Sequence, residues 1–366
     1  MREPLGTHRT AILLAVSGLQ ICIAALLLNA LRMENWSAVF AEDSEGYILA
    51  ARFFSGMGTP AESLPLLKYR LFSPLIPFLA SLIGRLMALE YAFLLLNCFF
   101  WMASVFLVYR LSAALFNGQL GYCCALLFTS SLPLIVWGLP IMVDMGSFFM
   151  VGLNCLLITN RSQRRAAWLL LAFTLGLAIL TKPNLISLVI FFMLYTGAGK
   201  SFGKAAVVAA VALLLVGGVY LLLGLTVEDF LALGYLRHRG FVYVANAFLF
   251  CFHWGLPLAL WGFAAEKKHR AFYLAYFISS FGCYLAFVHN PRLLFITFPA
   301  VLPLAARGME LLAGEAAPRW SFRPQRMLTY LTVCYMLTSN ILAGLYLYIT
   351  RVLQYRSIEG IRNFLG

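Results

Sequence analysis

The chain has 366 residues, of which 62% are hydrophobic and only 11% charged, with a net charge of +13. A water-soluble domain carries roughly a quarter charged residues, so this composition excludes an ordinary soluble enzyme. The basic residues are scattered through short connectors rather than gathered in a stripe, which argues against a nucleic-acid partner and for a multi-pass membrane protein.

The apolar runs are continuous and near the ~20 residues that span a bilayer as a helix, unlike the alternating pattern of a barrel. The first, from Ala11 to Leu31, is longer than a signal-peptide core and is expected to be a retained helix. A polar interruption follows, and within it stands Phe40-Ala-Glu-Asp-Ser-Glu-Gly-Tyr47, three of the 14 acids of the whole chain in one stretch. Further apolar runs cover 91–109, 119–137, 141–159, 166–181, 184–198, 205–225, 248–265, 271–288, 293–312 and 327–349. The run 71–88 starts with Pro74 and Pro77 and carries Arg85, and it reads as a helix lying in the membrane interface.

Four basic connectors set the orientation: Arg161 to Arg165, Lys200 to Lys204, Glu266 to Arg270 and Arg319 to Arg326. Placing all of them in the cytoplasm, with the N-terminus, gives about 11 transmembrane helices in one transmembrane domain, 1–366. The long segments 32–90 and 226–247 and the tail 350–366 then face outside. The eight cysteines lie mostly within apolar runs and show no metal spacing. Trp36, Trp101, Trp137, Trp254 and Trp261 are expected near the interfaces, as an aromatic belt. His253, inside an apolar run, is expected to be a satisfied interior histidine.

On the outer face this topology gathers groups able to do chemistry. Asp43, with Glu42 and Tyr47, supplies a carboxylate that can take a proton from a hydroxyl. Lys68 and Arg70 precede the interfacial helix, Asp144 opens a span, and Lys182-Pro183 forms an outer turn. His289-Asn-Pro-Arg292 forms another, and Arg237 and Arg239 lie in the second outer loop. Cations at headgroup level can bind a phosphate and stabilise it as it leaves.

The order of these features resembles the GT-C fold glycosyltransferases, which take sugars from polyprenyl phosphates. They include protein O-mannosyltransferases, lipid A aminoarabinose transferases and dolichol-dependent mannosyltransferases. The resemblance runs over residues 10 to 310. It rests on the acid pair Glu42-Asp43 after the first helix, the proline-punctuated Ser73-Pro-Leu-Ile-Pro77, Asp144 at the head of a span, Gly176-Leu-Ala-Ile-Leu-Thr-Lys-Pro183, and the His289-to-Arg292 segment running to Pro299. It implies an all-α polytopic GT-C-like fold and an inverting glycosyl transfer on the outer face. Asp43 and Glu42 would be catalytic; Arg70, Lys68, Asp144, Lys182, Arg237, Arg239, His289 and Arg292 would hold donor phosphate or substrate.

The implied partners are a polyprenyl-phosphate sugar, an acceptor glycan, lipid or protein, and membrane lipids; the implied location is a bacterial inner or plasma membrane. No cofactor is expected, the alternative being a divalent metal on Asp43, Asp144 and Glu228 or Asp229. Two rival functions are a surface-polysaccharide polymerase or ligase using lipid-diphosphate glycans, and a secondary transporter or flippase. The latter calls for mid-membrane charges and paired broken helices.

Overall fold

The computed structural model describes residues 7–31, 43–58, 63–160, 165–197, 202–226, 228–229, 241–286 and 291–353, and among them there is no strand. Helix α1 (Thr7–Ala30) is followed by three short helices, α2 (Ser44–Phe54), α3 (Leu64–Leu71) and α4 (Leu75–Ile83). Then come α5 (Leu89–Leu115), α6 (Gly118–Thr129), α7 (Leu132–Trp137), α8 (Asp144–Thr159), α9 (Arg165–Thr181), α10 (Ile186–Gly197) and α11 (Phe202–Leu222). The C-terminal part holds α12 (Phe241–Phe252), α13 (Gly255–Ala265), α14 (Arg270–Ala286), α15 (Pro291–Leu294), α16 (Phe298–Ala316) and α17 (Pro324–Leu347).

The chain is an integral membrane protein, and its described residues form helices joined by short connections. Among the described residues, α1, α5, α11, the stretch Phe295–Trp320 and the stretch Pro324–Arg351 are each long and apolar enough to cross a bilayer. Counting two bent pairs as one span each raises these five to seven. The remaining expected spans fall on the shorter helices α6, α8, α9 and α10 and on the 17-residue α14, so the length criterion alone does not reach eleven.

Two expected helices prove to be broken and a third shortened, each for a local reason. The interfacial run 71–88 is helical as α4, Leu75–Ile83, and at its start, Phe72–Pro74, the chain bends by 105° from α3. Proline disfavours the helical conformation in the residue before it; here that residue is Ser73. The run 119–137 breaks between α6 and α7, where Ser130 turns its hydroxyl back onto the carbonyl of Leu126 (2.8 Å) and Pro133 opens the next helix. The run 248–265 bends by 91° between α12 and α13. His253 takes a positive φ of 33° there, and its ring lies 4.1 Å from that of Tyr335, with Nε2 2.7 Å from the Ser339 hydroxyl of α17. The interior position expected of His253 is observed, but it is a hinge as well.

Small residues allow the closest helix crossing. A Cβ on Gly262 of α13 would fall 2.0 Å from the Leu304 carbonyl oxygen, and one on Gly308 of α16 would fall 2.0 Å from that of Leu258. Backbones this close gain dispersion that bulkier residues forbid, the usual device where lipid removes any hydrophobic gain from helix association. Trp101 is not part of an interfacial belt: it is fully buried and donates to the Thr129 hydroxyl at 3.0 Å.

Candidate functional site

The site begins with how α2 is held. Ser44, at its first turn, is fully buried and donates to the Ile141 carbonyl at 3.0 Å. Ile141 belongs to the irregular connection before α8, and irregular backbone in such a protein must find its hydrogen bonds inside the protein. Asn97 of α5 provides them: its side-chain amide donates to the carbonyls of Leu139 (3.3 Å) and Pro140 (2.8 Å). The starts of α2 and α8 are thereby fixed side by side, which brings the neighbourhoods of Asp43 and Asp144 together.

Asp43 immediately precedes α2 and receives a 2.5 Å hydrogen bond from Nη2 of Arg70 on α3. The same guanidinium donates to the Tyr47 hydroxyl at 3.4 Å and lies against two rings, 4.7 Å from the centre of Tyr47 and 4.3 Å from that of Tyr69. Arg70 is only 8% exposed. Burial opposes its charge, but Tyr47, Asp43 and Tyr69 together outweigh that, and its pKa is raised above the ordinary value. Gly46 makes the arrangement possible: a Cβ there would come within 2.8 Å of Arg70 Cγ.

A second pair stands next to the first. Asp144, in the first turn of α8 and 2% exposed, forms a salt bridge with Lys182, which follows α9. Gly146, half a turn further along α8, sits where a Cβ would be 2.5 Å from Ile76 of α4 and 3.4 Å from Thr181. Helix α4 is therefore wedged against the base of this pair. Two charges buried together repay their desolvation only with good geometry, and removing one partner strands the other.

A third pair differs in kind. Lys68 reaches Asp229 at 3.1 Å on the surface, with side-chain exposures of 54% and 21%. Asp229 also accepts from the backbone N–H (3.0 Å) and hydroxyl (2.9 Å) of Thr226, and first that backbone bond, then Lys68, hold its carboxyl below the usual range. Beneath it, the Tyr220 hydroxyl donates to the Phe72 carbonyl at 2.9 Å and the two rings meet edge on. The first polar loop is thus docked on the end of α11, where the second begins.

Helix α15, which contains Arg292, leads through the turn Phe295–Thr297 into α16. Phe295 packs edge on against Phe148 of α8, ring centres 5.1 Å apart, and the Tyr276 hydroxyl donates to the Ile296 carbonyl at 2.5 Å. The backbone at Arg292 therefore lies toward the Asp144 end of α8. Glu42, Arg237, Arg239 and His289 lie outside the described residues.

Of the expected site residues, Asp43 meets Arg70 and Asp144 meets Lys182, whereas Lys68 turns to Asp229 on the surface. Sequence reasoning missed Gly46, Ser44 and Asn97. Asn97 had a readable signal, a polar side chain within an apolar span. Gly46 and Ser44 had none, since small residues in a polar loop have many local explanations. No group of three or more metal-binding side chains is present among the described residues. Asp43, Asp144 and Asp229 each face their own cation.

No protein-family model and no curated protein matches the chain. Solved structures do. ArnT from Cupriavidus metallidurans, bound to undecaprenyl phosphate, superposes with a TM-score of 0.64 at 14% identity, over 93% of this chain and 76% of that one. The Archaeoglobus fulgidus oligosaccharyltransferase tethered to an acceptor peptide gives 0.55 at 14% identity, over 90% of this chain. The archaeal oligosaccharyltransferase AglB from the same organism, with an inhibitory peptide and a dolichol-phosphate, gives 0.54 at 14%. This chain spans about half the length of the oligosaccharyltransferases, 55% and 56%. The fold is that of the GT-C membrane glycosyltransferases.

Proposed function

We propose that the chain is an inverting glycosyltransferase that moves a monosaccharide from a polyprenyl phosphate to an acceptor hydroxyl at the outer face of the membrane. One observation carries this reading: Asp43 is clamped by Arg70 beside the buried Asp144–Lys182 pair, on a fold shared with a protein captured holding undecaprenyl phosphate.

The reaction asks for three things. The acceptor oxygen bonds to the anomeric carbon while Asp43 takes its proton. The bond from that carbon to the phosphate oxygen breaks, and the electron pair leaves with the phosphate. The phosphate's charge is met by cations already in place, which costs no reorganisation at that moment. Lys182, held at the cleft by Asp144, and Arg292 and His289 fill that role. Arg70 is directed at Asp43 rather than outward, so its part is to fix the carboxylate. Attack opposite the phosphate inverts the anomeric centre.

The test is a panel of radiolabelled polyprenyl-phosphate sugars offered to the purified protein with and without extracted envelope lipids. Transfer or slow hydrolysis of one donor supports the reading. No binding of any donor to folded protein would overturn it.

A further inference from the structure

A cavity lies between α9 and α11. Helices α9 and α11 run in the same direction and touch in their middles, where a Cβ on Gly176 would fall 2.9 Å from Leu215 and 3.3 Å from the Ala212 carbonyl. Toward their N-termini a wedge of about 620 Å³ lies between them. Trp168, Leu169 and Ala172 line one wall; Lys204, Val207 and Val211 line the other, and among the described residues no acid lines it. Lys182 and Leu222 mark the other ends of the same two helices.

The wedge is amphiphilic along its length. Lys204 and the indole of Trp168 stand at its mouth, the latter packed on Phe192 of α10. Its depth is apolar, with Leu169 66% and Val207 63% exposed to it and to the surroundings. From Gly203 to Val211 the helix rises about 12 Å. A cation and an indole over an apolar slot match a phosphate headgroup over an acyl chain. A zwitterionic headgroup would bring its own cation toward Lys204, whereas a net-anionic one would not.

We propose that this wedge binds an anionic phospholipid of the adjacent leaflet, its phosphate on Lys204 and one acyl chain along Val207 and Val211. The site is independent of the glycosyl-transfer reading.

Native mass spectrometry of the delipidated protein, titrated with phosphatidylglycerol or phosphatidylcholine of identical chains, tests it. Wild type should retain phosphatidylglycerol preferentially. Lys204→Ala should cut that preference by about fivefold, the weight of one basic residue facing an anionic headgroup. Val207→Trp, which fills the slot, should lower retention of both lipids, and Lys268→Ala, outside the wedge, should change neither. Equal retention of the two lipids by wild type, or an unaltered preference in Lys204→Ala, would overturn the proposal. So would displacement of phosphatidylglycerol by equimolar undecaprenyl phosphate, which would assign the wedge to an isoprenoid carrier.

Discussion

The Asp144–Lys182 pair and the pair that bridges Lys68 to Asp229 are made of the same chemical groups in opposite surroundings. The side chains of Lys182 and Asp144 are 13% and 3% exposed, whereas the side chain of Lys68 is 54% exposed. An exposed pair gains little because water and salt screen it. A buried pair costs desolvation that a well-packed apolar pair would avoid, so its presence at the mouth of a membrane fold marks a place where charge is needed. The difference separates the groups expected to act on substrate from those that hold a loop in place.

The comparison can be broken from the cleft side first. Asp43→Asn, nearly isosteric, should lower glycosyl transfer by about 10² to 10⁴-fold, the range of general-base catalysis, while the thermal unfolding midpoint moves little. Lys182→Ala should cost about 3–5 kcal/mol of stability by stranding Asp144. The double variant Lys182→Ala with Asp144→Ala should recover part of that loss, as denaturant unfolding would show. If the double variant is less stable than wild type by the sum of the two single effects, the two residues are not coupled and the pair is misassigned.

A smaller effect is expected from Gly46→Ala, because a methyl there meets Arg70 at 2.8 Å. Arg70 must shift, and turnover should fall by about tenfold, the scale of a modest misplacement of catalytic groups, with about 1–3 kcal/mol of stability lost to overpacking. The smallest effect belongs to Lys68→Ala, for which neither stability nor turnover should change measurably. Asp229 gives that surface pair its pH dependence. Its folded carboxyl sits below the ordinary value, so what the pair contributes is present at neutral pH and fades as pH falls through the carboxylate range. A stability profile of wild type against Asp229→Asn should diverge, if at all, only there.

Much of the architecture is legible in the sequence because lipid imposes a simple rule on apolar length. The runs that became α1, α5, α11 and α17 could be drawn by eye within a few residues. The breaks could not, since a positive φ at a histidine is set by Tyr335 and Ser339, more than 80 residues away in the chain. The first two helices of the first loop, α2 and α3, were equally hidden, because they are held by Ile141, Tyr220 and their neighbours rather than by their own periodicity. At the cleft, the residue types were readable and the pairing was not. Asp43 and Arg70 are 27 positions apart and Asp144 and Lys182 are 38, separations at which only the tertiary fold decides who meets whom. That is why Arg70 reads from sequence as a phosphate ligand and in the structure as the clamp on Asp43.

The most direct measurement compares wild type and Asp43→Asn on the donor that wild type consumes, at matched thermal stability and with the anomeric configuration of the product determined. The account predicts an inverted product from wild type and almost none from the variant. A retained configuration, or an Asp43→Asn protein that turns over at near wild-type rate, would contradict it.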